Sequence, residues 1–157
     1  MNENIIIRKA ELKDVTVILN LIKELAEYEK LLDKVTATED KLINTIFGKD
    51  KFVEVWLAEI NNEPAGQVIF FRNYSTFLAN PGFYIEDIYV RPQFRGKGIG
   101  KKLLNKVIEL AAEKNYGRVE WCVLNWNEPA IDFYKNMGAV SMDEWMTFRL
   151  TVEKFKG

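Results

Sequence analysis

The spacing of apolar residues separates helices from strands along most of this chain. Ile5-Ile6-Ile7 is a short apolar run that predicts a buried strand. Over 11–30, Val15, Ile18, Leu19, Ile22, Leu25 and Ala26 recur at three- and four-residue steps, which is one face of a helix. The end of that helix, Glu27-Tyr28-Glu29, reads as a solvated acidic tip. Thr38 followed by Glu39 and Asp40 is an N-cap with acids at the positive end of a helix dipole, and the helix runs to Phe47 and stops at Gly48. Residues 53–60 and 65–71 read as strands joined by Asn61-Asn62-Glu63-Pro64. Residues 72–82, with Asn73, Asn80, Pro81 and Gly82, are expected to be loop at both ends. Then come a strand over 83–90, a helix to Lys114, a strand over 119–126, a helix from Asn127 to Gly138 and a strand over 145–152. The order β-α-α-β-β-β-α-β-α-β predicts a mixed α/β sheet in one domain over 1–157, with no internal repeat.

The junction after the strand over 83–90 carries the clearest chemistry. Pro92 ends the ladder, since it has no N–H to give, and Gly96, Gly98 and Gly100 follow at alternate positions. Ile99, Leu103, Leu104, Val107, Ile108 and Ala111 then restore a helical period. Glycine-exposed amides running into a helix N-terminus form an anion site, and Arg95, Lys97, Lys101 and Lys102 surround it with cations. A phosphate or pyrophosphate is therefore expected there. The spacing matches neither the P-loop nor the dinucleotide fingerprint, because G-x-G-x-G is one residue short of the latter.

Composition removes several alternatives. The 157 residues are 48% hydrophobic and 29% charged, enough to bury ~70% of the unfolded surface in one core. Twenty-two basic residues against 23 acidic ones argue against a general nucleic-acid-binding surface. No apolar run is long enough to span a bilayer, and Met1-Asn2-Glu3-Asn4 lacks a basic leader. A single cysteine points to a reducing, cytoplasmic setting. With no histidine in the chain, Ser-His-Asp and Cys-His nucleophiles and the usual histidine-based zinc sites are impossible, and no metal is expected. Acid–base work falls to carboxylates, tyrosine, lysine or water.

The element Arg95-x-x-Gly98-x-Gly100 resembles the [QR]-x-x-G-x-[GA] motif of the GCN5-related N-acetyltransferases (GNAT). Within that family the chain is most similar to the spermidine/spermine and thialysine N-acetyltransferases. The likeness rests on residues 21–29, on Ile85-Glu86-Asp87, on the Gly-rich loop, on Trp126-Asn127-Glu128-Pro129-Ala130-Ile131-Asp132-Phe133-Tyr134-Lys135, and on Trp145. The resemblance implies the acyl-CoA N-acyltransferase (GNAT) fold, a mixed and mostly antiparallel central sheet flanked by helices. It also implies acetyl-CoA as cosubstrate and a small primary amine as acceptor. In that reading the backbone of Ile88, Tyr89 and Val90 pairs with the cofactor's amides. Arg95, Gly96, Lys97, Gly98, Ile99, Gly100 and Lys101 hold its pyrophosphate, and Asn127, Glu128, Pro129, Ala130 and Tyr134 contact it from the next helix. The amine lies among Tyr28, Glu29, Glu86, Asp87, Glu120, Trp121, Cys122, Asp143 and Trp145.

A lysine-like amine titrates near ~10.4, so deprotonating it at pH 7 costs ~4–5 kcal/mol, and the site needs a base. Glu86 and Asp87 are adjacent, so in the strand they point to opposite faces and only one of them can face the thioester. By resemblance Glu86 is the base, acting through water, and Asp87 helps to bind the amine. Tyr134 supports the leaving thiolate, although a phenol near ~10 is a weaker acid than a thiol near ~8.5. Arg72 would repel a second ammonium of a polyamine and suit an acceptor bearing a carboxylate. Two other readings stay open: a non-catalytic acyl-CoA sensor, and a protein or peptide N-acetyltransferase. A homodimer is expected by resemblance.

Overall fold

The computed structural model describes residues 3–155; Met1 and Asn2, part of the stretch read for a leader, lie outside them. The chain divides into two compact units, Met1–Cys122 and Val123–Gly157. The first is built on five strands in the order β1 (Ile5–Lys9), β2 (Glu54–Ile60), β3 (Glu63–Ser75), β4 (Asn80–Val90) and β5 (Val119–Trp121). The first four are antiparallel and β5 runs parallel to β4, which is the mixed sheet expected. Between β2 and β3, Asn61 and Asn62 adopt φ of 51° and 68°, the left-handed pair that a two-residue hairpin turn requires and that asparagine tolerates.

Cross-strand partners share a face, so the ladder sorts the side chains. Val55, Leu57, Ile69 and Tyr89 form one face and pack with Ile18 and Leu21 of α1 (Val15–Tyr28) and with Ile46. Phe70 and Phe83 stack edge-on across the other face, where α3 (Ile99–Glu113) buries Leu103, Leu104 and Val107. Gly66 sits where β3 and β4 pass closest: a Cβ there would lie 2.4 Å from the Tyr89 carbonyl oxygen. The short α2 (Glu39–Leu42) starts as read, with the Thr38 hydroxyl accepting from the Lys41 amide, and then loosens into a wider turn over Ile43–Phe47.

Several boundaries differ from the sequence reading, among them the turn at 61–64, since β3 already begins at Glu63. Helix α1 begins at Val15 and not at 11, because Glu11 and Asp14 form a reciprocal capping box over a 3-10 turn. The segment 72–82 is hairpin rather than loop: β3 continues to Ser75 and β4 starts at Asn80, and the buried Ser75 hydroxyl accepts from the Leu78 amide to close the turn. The strand expected over 119–126 stops at Trp121, where its ladder with β4 ends at Ile85. Residues 145–152 form no strand. Their apolar alternation is present, but Trp145, Met146, Phe148 and Leu150 are all exposed, and alternation without a hydrogen-bonding neighbour does not make a ladder.

The second unit is organised by α4 (Glu128–Asn136). Asn127 caps it, its side-chain oxygen accepting from the Ala130 amide, and Pro129 occupies the first turn where no N–H is needed. Gly138, at φ 91°, ends the turn after it.

Candidate active site

The site in the first unit begins with an irregularity in β4. Ile69 pairs with Asp87 and Phe70 with Ile85, so Glu86 is an extra residue with no partner across the ladder. This bulge changes the faces. Because Ile69 and Phe70 point opposite ways, so do Asp87 and Ile85, and strict alternation between Glu86 and Asp87 is lost. Asp87 and Tyr84 consequently share the α1 face with Ile69 and Phe71, and Glu120 joins them through its pairing with Tyr84. Trp121 pairs with Ile85 and belongs to the opposite face, away from Glu120. Arg72 pairs with Phe83 on that opposite face as well, and is exposed there. It therefore does not stand beside the carboxylates as the sequence reading had it.

Asp87 lines a cavity of about 190 Å³ with Glu29 and Lys34, walled by Ile22, Leu25, Ala26, Leu31 and Val35. Burial, then the charges of Glu86 and Glu29, push the Asp87 carboxyl up to about 6. Burial alone raises Glu29. Glu86 is exposed at the bulge. Tyr84 donates its hydroxyl to the Cys122 sulfur at 2.8 Å; its titration is raised first by burial, then by the thiol, Glu86 and Glu120. Carboxylates crowded against apolar walls favour a cationic guest, whose charge relieves their mutual repulsion.

The Gly-rich loop meets the physical demands of an anion cradle. Gly96 and Gly98 have φ of 79° and 76°, and a Cβ at either would meet nothing within 4 Å, so conformation and not crowding selects glycine. Gly98 is the N-cap of α3 and supplies no side-chain cap to the amides beyond it. Ile99, the first residue of α3, is 1% exposed and anchors the loop to the core. Lys97 is paired with Glu3. Arg95 turns towards α1: its guanidinium lies 5.0 Å from the Tyr28 ring and 5.7 Å from the Tyr89 ring, and its Nε donates to the Val90 carbonyl at 3.0 Å. Next to the cradle, β4 and β5 pair only over Phe83, Tyr84 and Ile85. Residues 86–90 thus keep β3 on one side, while their other edge carries no strand among the described residues.

Lys101 is exposed in the first turn of α3, and the other expected residues lie in the second unit. Asn127, Glu128, Pro129 and Ala130 build the start of α4, and Tyr134 is on the same helix, its ring 5.4 Å from that of Phe133. Asp143 accepts from the Ser141 hydroxyl, and Trp145 is exposed. The sequence reading did not single out Tyr84 or Lys34. Tyr84 sits two residues before Glu86, where only the bulge reveals its face; Lys34 lies in a polar stretch with no periodicity to place it.

A strand edge fit for an extended amide-bearing chain, with an anion cradle at one end and buried carboxylates near the other, suits an enzyme that moves a group from an anionic carrier to a cationic acceptor. Comparison with known proteins agrees. The model of the Acetyltransferase (GNAT) family matches residues 18–139, and the chain belongs to that family. It is 39% identical over 163 residues to a thialysine N-epsilon-acetyltransferase of Bos taurus, covering 97% of this chain and 95% of that one. It is 37% identical over 190 residues to an L-ornithine N5-acetyltransferase of Arabidopsis thaliana, covering 92% and 83%. Among solved structures, an integron cassette protein from the V. cholerae mobile metagenome superposes with a TM-score of 0.79 at 25% identity, covering 94% and 92%. An aminoglycoside N-acetyltransferase in complex with CoA has the same fold, with a TM-score of 0.77 at 15% identity over 96% and 97% of the two chains. The chain is an N-acetyltransferase.

Proposed function

We propose that this enzyme transfers the acetyl group of acetyl-CoA to a primary amine of a small molecule by direct attack in a ternary complex. The observation that carries the acceptor class is the cavity holding Asp87 and Glu29, both raised by burial and set in apolar walls. Relatives named for thialysine and ornithine acetylation support an amino-acid amine. A human spermidine/spermine N(1)-acetyltransferase-like protein, 32% identical over 94% of this chain and 23% of its own length, keeps polyamines and diamines in view. The family match runs through the boundary at Cys122, which supports one functional domain.

Bound acetyl-CoA supplies an activated thioester, and the protein's residues do the rest. The amides after Gly96 and Gly98 receive the pyrophosphate, and the open edge of residues 86–90 receives the pantetheine amides. The acceptor ammonium docks against Asp87 and Glu29. Asp87, near 6, is better matched to proton removal around neutrality than an ordinary exposed carboxylate, and Glu86 at the bulge passes the proton outward through water. The apolar walls lower the ammonium's own proton affinity. Tyr134 hydrogen-bonds the leaving sulfur; no covalent enzyme intermediate is needed. We also propose a cytoplasmic homodimer, supported by the exposed free Cys122 and by exposed Trp145, Met146, Phe148 and Leu150. Sedimentation equilibrium at micromolar concentration should give twice the chain mass, and a single-chain mass would refute the dimer.

The transfer is tested by release of free coenzyme A thiol with a panel of spermidine, putrescine, thialysine, ornithine, lysine and a lysine-bearing peptide. Turnover with the small amines supports the proposal. Turnover with the peptide alone would move the chain to the protein acetyltransferases.

A further inference from the structure

The cavity beside Asp87 is lined by side chains of both charges. Asp87 and Glu29 are its carboxylates, and beyond the effect of burial Glu86 and Glu29 raise Asp87 further. The same cavity is lined by Lys34, whose ammonium is 3.3 Å from Asp33 and whose side chain is 75% exposed. The rest of the lining is aliphatic: Ile22, Leu25, Ala26, Leu31 and Val35. A guest that satisfies all of this lining carries an ammonium, an anion and a few methylenes.

We infer that Lys34 is a specificity-determining residue that pairs with a carboxylate on the acceptor, so that the enzyme selects basic amino acids over diamines and polyamines of equal length. The inference rests on the amine-acetylation reading and adds the residue that sets its substrate class. The Asp33–Lys34 pair does not oppose it. Both side chains are more than two-thirds exposed, and an exposed pair of neighbours is weak enough for a substrate carboxylate to compete. A diamine has no carboxylate for Lys34 to pair with and brings a second ammonium towards that cation instead. Arg72, the cation first suspected from the sequence, is on the far face of the sheet and cannot take this part.

The test uses two acceptors that differ only by a carboxylate, lysine and cadaverine, with wild type, Lys34→Met and Lys34→Glu. Acetylation kinetics are run beside calorimetric binding of each amine to the full chain. The wild type should favour lysine. Lys34→Met should lower the lysine-to-cadaverine ratio of kcat/KM about fivefold, the scale of one exposed ion pair, and Lys34→Glu should lower it further. The binding constants should change in the same sense. A ratio that both variants leave unchanged, or that shifts because both amines weaken equally, overturns the role of Lys34. Lysine binding that weakens in Lys34→Met, in a wild type that transfers acetyl to neither amine, would overturn the transfer reading and leave Lys34 as the carboxylate partner.

Discussion

Asp87 holds its proton up to about pH 6 because it is buried beside Glu86 and Glu29. A carboxyl raised in the folded state binds more protons than it does unfolded between its ordinary value near ~4 and about 6, so stability falls as pH rises through that window. Asp87→Asn should therefore raise stability at pH 7.5 by about 1–2 kcal/mol and remove most of that pH dependence, as read by thermal melts from pH 4 to 8. The same variant should lower kcat about 10²-fold, and it should abolish the acidic limb of kcat/KM near pH 6 that Glu86→Gln keeps. If Glu86→Gln removes that limb and Asp87→Asn retains it, the base is Glu86, as the sequence reading had it. Tyr134→Phe should lower kcat about tenfold to a hundredfold while acetyl-CoA affinity, measured by calorimetry, stays within about twofold. Unchanged turnover would remove Tyr134 from the chemistry.

At the scale of elements, the glycine loop and α3 act together. Gly98→Ala places a Cβ in open space but in a left-handed backbone, which costs roughly 1–2 kcal/mol, and the strain should appear both in the melting temperature and in weaker acetyl-CoA binding. Arg95 ties that loop to the end of α1 through Tyr28. Arg95→Ala should therefore raise the KM of the amine as well as that of acetyl-CoA, whereas Arg95→Lys, which keeps a cation over the rings, should restore part of the amine effect. An effect on acetyl-CoA alone would confine Arg95 to the cradle. At the other end of the sheet, Arg8 donates two bonds to the buried Asp14 and two to Glu59. The Arg8 guanidinium holds the Asp14 carboxyl below its usual range, so this contribution is present above pH ~4 and is lost on acidification below it. Asp14→Ala should destabilise by about 2–3 kcal/mol in urea denaturation, since it strands a partly buried guanidinium.

Across the whole molecule, what was legible in the sequence was what periodicity and punctuation encode. The stripe of α1, the turn at Asn61 and Asn62, the Gly loop into α3 and the Asn127 cap were all readable, because each depends on residues close in the chain. The bulge at Glu86 was not. It is a register shift between two strands, and it decided which face Tyr84, Asp87 and Glu120 share. Arg72 was misplaced because its face depends on a partner, Phe83, set by the hairpin and not by its own neighbours. The expected strand over 145–152 failed for a related reason: alternation records a capacity to pair and not the pairing.

The most direct measurement is free-thiol release from acetyl-CoA with small primary amines, comparing wild type with Asp87→Asn at pH 7.5. Release that needs an amine, saturates with it and falls about 10²-fold in the variant is the predicted result. Tight acetyl-CoA binding with no amine-dependent thiol release, in wild type and variant alike, would contradict it and leave an acyl-CoA-binding module.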